Sequence, residues 1–541
     1  MKNPKKHLIL TGLALLSLLL SLCAGRLTGD DVVVRAQLKT ESGGKVSPAL
    51  LARMRDAQAG GRIQVIVQPR DAANASLDLL LRNMGARIKS QLRQLNLRVI
   101  ELPADAVVKL AARREIRYVS LDDEIKTFGH VTTTSGADAA NDTGLLTTGG
   151  LDGTGIGIAI IDSGIDTNHR SFTSALGLSR VQFSRDFTGE GRTDDPYGHG
   201  THVASASAGN GQVSSGQYKG IASNAQIINL RVLNAQGTGT ASALLGALDW
   251  VLSYRNIFNI RVVNMSLGMT AVDSYKNDPV CRAVRRLVDS GVVVLAAAGN
   301  NGKDSSGNKI YGQIHSPGNE PSAITVGAAN TFGTDARGDD AVASYSSRGP
   351  TRSFLTDEND LRHYDNLIKP DIVAPGNKLI YAEAFNNHLV TAHPELDAGA
   401  SSITTRKMMY MSGSSMATPV AAGAAALLLQ ANPSLTPNLV KMILMYTSQP
   451  LAGYNQFEQG AGELNIEGAV RLAKLVRPSL SLLTLVGDPL LTTLVAPVAQ
   501  TTIAGQTFAW SQGIILNRTY ATGTNLITKY QKIYGAGALL G

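Results

Sequence analysis

From about residue 140 the chain alternates short apolar runs with segments of helical spacing, and this alternation constrains the fold more than any other feature. The runs "GIGIAIID", "AQIINLRVLN", "IRVVNMSLG", "GVVVLAAAGN" and "AITVGAA" are β-rich and apolar on both faces. Between them lie "THVASASAG", "ASALLGALDWVLSY" and "DPVCRAVRRLVDSG". Strands apolar on both faces must be covered on both sides, and helical crossovers supply the cover. The expected fold is therefore α/β, a doubly wound parallel sheet. Sheets of this kind carry their chemistry in loops at the carboxyl ends of the strands.

Residues 62–126 read as a smaller α+β unit. "RIQVIVQ", "RIKSQL", "LRVIELP" and "IRYVSLDDEIK" are strand-like, and "ASLDLLLRNMG" and "ADAVVKLAARRE" are helix-like. The order strand, helix, strand, strand, helix, strand is ferredoxin-like. "TFGHVTTTSGADAANDTG" follows with no apolar periodicity and reads as a polar linker open to cleavage. Residues 476–541, rich in Leu, Thr and Gly without helical period, read as a C-terminal extension, either a small β appendage or a tail, that carries no motif.

The formal charge of +8 is not spread evenly. Residues 1–130 hold 21 of the 50 Lys and Arg but only 12 of the 42 Asp and Glu, so the remainder is near neutral. No basic patch is interleaved with aromatics, and nucleic acid is not an expected partner. At the N-terminus Lys2, Lys5 and Lys6 precede a short leucine-rich run ending in small residues, the layout of a signal peptide over residues 1–25. Its run of about 14 apolar residues is short of the roughly 20 that span a bilayer, so no membrane span is expected. Secretion, extracellular or periplasmic, is preferred over lipid attachment through Cys23, because Leu22 before it is larger than such cleavage sites usually accept. Cys281 then stands alone and cannot form an internal disulfide.

Four polar residues stand at element ends. Asp162 closes the strand "IGIAII", and His199 opens a helix of small residues in "GHGTHVA". Asn300 ends "VVVLAAAGN", and Ser415 precedes the alanine-rich helix "VAAGAAALLLQ". Taken singly, Asp162 and Asn300 are ordinary turn residues, and His199 with His202 suggests a metal pair that no acidic or thiol ligand at suitable spacing completes. Taken together they fit one mechanism. A serine hydroxyl needs a base to become a nucleophile, a carboxylate orients the imidazole, and amide donors hold the tetrahedral oxyanion. A helix N-terminus beside the serine favours that oxyanion.

With these residues on the page, the sequence resembles the subtilisin-like serine proteases, the subtilases. The motifs "AIIDSGID", "GHGTHVA", "VVNMSLG", "AAAGN", "SSRGP", "KPDIVAPG" and "SGSSMATP" carry the resemblance over about 157–430, with "QGAGELNIEGAV" beyond them. The resemblance implies a triad of Asp162, His199 and Ser415, with His202 left to packing. It implies an oxyanion hole of Asn300 and the Ser415 backbone N–H. It implies that Ser266, Leu267 and Gly268 pair with a substrate backbone, while Ala297, Ala298 and Gly299 form the opposite wall of a specificity pocket. Protein or peptide substrates follow, with no cofactor for the chemistry and no metal assigned; a structural calcium is allowed for without ligands. The front unit, within residues 26–130, resembles an inhibitory propeptide that is cut away from a catalytic domain over 131–475 by the enzyme itself.

Three departures stand out. Ser414 occupies a position where the family usually has threonine. "NGQVSSGQYKGIA" lacks the usual calcium loop, and the stretch from Gly376 to Gly413 is longer than in compact members, which suggests an extra surface loop. Two rival readings fail on the residues. A binding protein on a dead protease scaffold would have a broken triad. A lipase would place its serine in G-x-S-x-G and order its triad Ser, Asp, His.

Overall fold

The computed structural model describes residues 44–122, 131–141, 150–478 and 489–523, apart from 48–49, 52, 55–60, 72–74, 175, 215 and 494. The signal-like segment, Cys23, residues 123–126 of the expected strand "IRYVSLDDEIK" and residues 127–130 and 142–144 of the expected linker lie outside the described residues. The chain divides into two compact units, Met1–Lys126 and Thr127–Gly541.

In the first unit β1 (Arg62–Pro69), α1 (Ala75–Asn83), β2 (Arg87–Leu92), β3 (Leu97–Pro103), α2 (Ala106–Ala111) and β4 (Ile116–Leu121) follow in the expected order. The strands form an antiparallel sheet, β2-β3-β1-β4. Alternate residues of β1 and β3, among them Val65, Val67, Ile100 and Leu102, meet Leu81, Val107 and Leu110 of the helices in one buried core. Period two in a strand and period 3.6 in a helix each put these apolar positions on a single face. β2, at the sheet edge, is almost wholly exposed, and its Arg87 and Lys89 discourage pairing with another chain.

In the second unit β5 (Gly157–Asp162), β6 (Val181–Asp186), β7 (Gln226–Arg231), β8 (Ile260–Met265), β9 (Val293–Ala297) and β10 (Ile324–Asn330) run parallel in the order β6-β7-β5-β8-β9-β10. β10 also pairs in parallel with Ile372–Pro375 and antiparallel with β11 (Ala341–Val342). After β5 the chain first builds β6 and β7 on one side and then β8 to β10 on the other. Strand order therefore reverses at β5, where a cleft opens beyond the carboxyl ends.

Both sheet faces are covered. Ile158 and Ile160 enter one core with α3 (His199–Ala208), while Ala159 and Ile161 enter a second with α4 (Ala241–Tyr254) and α5 (Pro279–Asp289). The first core also takes α6 (Ser414–Ala431), α7 (Pro437–Thr447) and α8 (Ile466–Ala473). α6 is the one described helix long and apolar enough to cross a membrane, yet 83% of it is buried inside the fold. Its alanines allow close packing, and Leu427, Leu428 and Leu429 are fully buried, each worth about 1.5–3 kcal/mol. Asn432 and Pro433 end the helix.

Two stretches differ from the sequence reading, and in a third the structure selects between a β appendage and a tail. Residues 131–141, expected in a linker, form the short helices Val131–Thr134 and Ala137–Asn141. Ala137 and Ala140 are buried, and the Ser135 carbonyl accepts from Ile466 N–H, so small residues here serve packing rather than freedom. The long stretch 376–413 is only partly surface: Leu379–Ala382 pairs with Met408–Met411, burying Tyr381, Met408 and Met409. The described part of the C-terminal extension, 489–523, holds two antiparallel hairpins, Gln500–Ile503 with Gln506–Ala509 and Gly513–Leu516 with Thr519–Thr522. Trp510, Ile514 and Ala521 join the main core, and Trp510 Nε1 donates to Thr501 Oγ1 at 2.9 Å.

Candidate active site

β5 delivers Asp162 to the strand end, where its carboxylate is 1% exposed. Oδ1 accepts from Ser163 N–H at 2.8 Å and lies 2.6 Å from His199 Nδ1. A carboxylate only accepts, so Nδ1 carries the proton and Nε2 is left as the basic end of the ring. Burial disfavours the imidazolium, but the Asp162 charge and hydrogen bond, with Asp195 behind them, outweigh it and hold the His199 pKa above its ordinary value.

The glycines beside His199 allow this approach. A Cβ at position 200 would lie 2.2 Å from the Gly164 carbonyl oxygen. Gly198 has φ of +102°, and a Cβ there would lie 2.6 Å from Asn387 Oδ1.

Gly198 is the N-cap of α3 and has no side chain to cap it. Asp195 does so from three residues earlier. Its Oδ1 accepts from Gly198 N–H and Ser163 Oγ, each at 2.8 Å, and its Oδ2 accepts from Thr201 N–H at 2.7 Å. Ser163 Oγ in turn accepts from Gly200 N–H at 2.9 Å. Asp195 and Ser163 thus fasten the end of β5 to the start of α3, and burial raises the Asp195 pKa. Sequence reasoning passed over both; the signal was an Asp shortly before a helix start, a capping pattern.

His202 lies inside the packing, edge-on to Tyr381 at 5.5 Å, with Nε2 3.2 Å from the Leu379 carbonyl. Burial pushes its pKa down to about 3. Among the described residues no group of three or more His, Cys, Asp or Glu is placed to hold a metal ion.

Ser415 is the second residue of α6 and is half-buried. Four residues on, Pro419 has no N–H to give to the Ser415 carbonyl. Ser266 Oγ, just past β8, donates to that carbonyl instead, at 2.7 Å. Asn300 Oδ1 accepts from Ser414 N–H at 2.8 Å and lies 3.1 Å from Ser414 Oγ. Ser414 Oγ also accepts from Gly299 N–H at 3.1 Å. With Oδ1 engaged, Asn300 Nδ2, next to Gly413, is the end left to donate. The hydroxyl kept at position 414 is what joins the Asn300 turn to the start of α6.

A cleft of about 420 Å³ is lined by His199, Tyr197, Leu233, Ser266, Leu267 and Gly268, among others. Tyr197 stacks on His388 of the long 376–413 stretch at 6.0 Å and faces His199 at 6.5 Å. The structure therefore brings Asp162 to His199, Asn300 to Ser414, and Ser266 to Ser415. Among the described residues no hydrogen bond joins Ser415 Oγ to His199 Nε2; Ser266 links them, sharing the cleft with one and bonded to the other. Ala297, Ala298 and Gly299 do not line this cleft. They continue β9, which pairs with β8 at Asn264–Leu295 and Met265–Ala296.

Comparison with known proteins gives the chain's family. The subtilase family model matches residues 153–468, and that of the fervidolysin N-terminal prodomain matches residues 62–122. The chain is similar to serine protease AprX of Bacillus subtilis (strain 168), 34% identical over 404 residues, 73% of this chain and 83% of that protein. It is similar to the extracellular serine proteinase of Thermus sp. (strain Rt41A), 31% identical over 359 residues, 65% of this chain and 70% of that protein. Subtilisin E of Bacillus subtilis (strain 168) is 29% identical over 390 residues, 72% and 84% of the two chains. A family match over more than half of the chain, on an α/β sheet that seats an Asp–His pair at its switch point, makes this chain a member of the subtilase family of serine peptidases with a fervidolysin-like prodomain at its N-terminus.

Proposed function

We propose that the subtilase chemistry is carried by Ser415 as nucleophile, His199 as general base and Asp162 as the orienting carboxylate. The observation that carries this reading is the 2.6 Å contact of Asp162 Oδ1 with His199 Nδ1 at the carboxyl end of β5. It leaves Nε2 free to take the Ser415 proton as Oγ attacks the scissile carbonyl. Asn300 Nδ2 and the Ser415 N–H receive the oxyanion. When the tetrahedral species collapses, the leaving amine takes the proton from Nε2 and departs, and water then repeats the sequence on the acyl-enzyme. Hydrogen bonds between a base and its nucleophile often tighten only with substrate bound.

Subtilases use no cofactor for catalysis and act on peptide bonds. In this chain Ser266, Leu267 and Gly268 offer main-chain groups to an extended peptide, which adds as a strand to this segment where it runs on past the carboxyl end of β8. The division proposed is a signal peptide over 1–25, a prodomain within 26–130, a catalytic domain over 131–475 and an extension over 476–541. The prodomain acts as intramolecular inhibitor until the enzyme removes it, and the product is exported. The charged, leucine-rich leader supports export, and one relative is named an extracellular proteinase.

A fluorophosphonate probe tests the assignment. Peptide mapping is expected to find the tag on Ser415 and to lose it in the His199→Ala variant; a tag on another serine overturns the reading.

A further inference from the structure

We propose that Arg231 is a positioning residue of this protease: its buried guanidinium fastens the backbone just after Asp162 to the loop that leads to His199, and so sets the Asp162–His199 geometry. This rests on the reading of those two residues as orienting carboxylate and base. Arg231 ends β7, the strand between β5 and β6. Across the sheet it stands opposite Asp162 on one side and Asp186 on the other. Asp186 ends β6, and from there the chain runs on to His199 at the start of α3.

The Arg231 side chain is 0% exposed, a place where a cation is found only when its donors are met. Five oxygens meet them. Nε donates to the Ser163 carbonyl at 3.0 Å, one residue past Asp162. Nη1 donates to Thr188 Oγ1 at 2.9 Å, to Asp186 Oδ1 at 3.3 Å and to the Arg192 carbonyl at 3.4 Å. Nη2 donates to Glu190 Oε2 at 2.5 Å. One arm of the fork therefore holds the segment that carries Asp162, and the others hold the loop ahead of His199.

That loop lies directly on the segment it is tied to. A Cβ at position 164 would lie 2.1 Å from the Asp194 carbonyl oxygen, and Ile165 N–H donates to the Thr193 carbonyl at 3.3 Å. Burial disfavours an ionised Asp186, but hydrogen bonds from Thr188 and Gly191 and the Arg231 charge outweigh it and hold its pKa below the ordinary carboxylate value. Asp195 ties Ser163 to the first turn of α3, and Arg231 ties the same residue to the loop before it. A planar guanidinium reaches these partners in several directions at once, which a single ammonium cannot do. With the fork removed, the backbone on either side of the Asp162–His199 pair is free to shift, and a misplacement of about 1 Å can cost about 100-fold in rate.

The test uses the mature enzyme, with kcat counted per active site titrated by a fluorophosphonate. Arg231→Met is expected to lower kcat about 10- to 100-fold with KM within about threefold, because no substrate wall is touched. Arg231→Lys, which keeps the charge but not the fork, is expected to restore part of the loss. Glu190→Ala, at a partly exposed position, frees one arm only and is expected to lower kcat about fivefold at unchanged KM. A native kcat per titrated site in Arg231→Met, or in Glu190→Ala where Arg231→Met does not fold, overturns the proposal whatever the change in Tm. So does a raised KM at native kcat. Casein digestion separates the failures: variants as fast as an active native enzyme sink the role of Arg231 alone, while a native enzyme inert on casein sinks the proposed function.

Discussion

Ser266 Oγ donates to the Ser415 carbonyl at 2.7 Å, replacing the helical hydrogen bond that Pro419 cannot make. The proposed nucleophile is therefore held by the strand that edges the cleft as well as by its own helix. Ser266→Ala removes the partner of a part-buried carbonyl at a cost of about 1 kcal/mol, read as a lower Tm. In a Pro419→Ala background an N–H is restored at position 419, and the cost of Ser266→Ala is expected to shrink. Equal costs in both backgrounds would contradict the exchange.

Asn300 is fixed by Ser414, which leaves Nδ2 as its free donor. Asn300→Ala is expected to lower kcat by about 100-fold or more with little change in KM, because the bond forms in the transition state. Ser414→Ala removes one of the two groups on Oδ1 and is expected to lower kcat by less. A raised KM with normal kcat in Asn300→Ala would make Asn300 a ground-state contact.

The His199 pKa sets the acid limb of activity. Burial lowers it, and the Asp162 carboxylate more than compensates. An imidazolium cannot accept the serine proton, so kcat/KM rises as pH increases through a pKa above the ordinary histidine value. Asp162→Asn removes the compensating charge. The limb is expected to move to lower pH while kcat falls by about 10⁴-fold. An unchanged profile in that variant, or a flat native profile from pH 5 to 9, would contradict His199 as base.

A buried acid pair away from the cleft makes stability fall with pH. Asp340 and Glu463 have fully buried side chains beside Arg337. Burial and then the Glu463 charge push the Asp340 pKa up to about 9 against the pull of Arg337. The pair thus retains a proton that the unfolded chain releases near pH 4, and folding takes up a proton between those values. Tm is expected to drop from pH 5.5 to pH 8.5 in the native protein and to drop less in Asp340→Asn, measured calorimetrically on the inactive Ser415→Ala background. A steeper fall in the variant would reverse the sign.

The large features were legible in the sequence. Strands such as "GIGIAIID" announce a sheet covered on both faces, and the order of motifs around Asp162, His199, Asn300 and Ser415 follows from chemistry at strand ends and one helix start. The supporting groups were not legible. The role of Asp195 shows only once α3 is seen to start at a bare glycine, and the exchange between Ser266 and Pro419 joins elements about 150 residues apart. Helices at 131–141 went unread because Ala137 and Ala140 bury small side chains without an apolar stripe. The two hairpins after residue 499 are the β appendage that composition allows, but strands of four residues are too short to show a period that would have set it apart from a tail.

Ser415 as nucleophile is tested by comparing the purified native protein with Ser415→Ala on casein, with the mass of each chain recorded. The native protein is expected to lose its N-terminal prodomain and digest casein. The variant is expected to keep the prodomain when made in a protease-deficient host, with activity lower by several orders of magnitude. A Ser415→Ala protein that matures to the same size and digests casein at the native rate would contradict it.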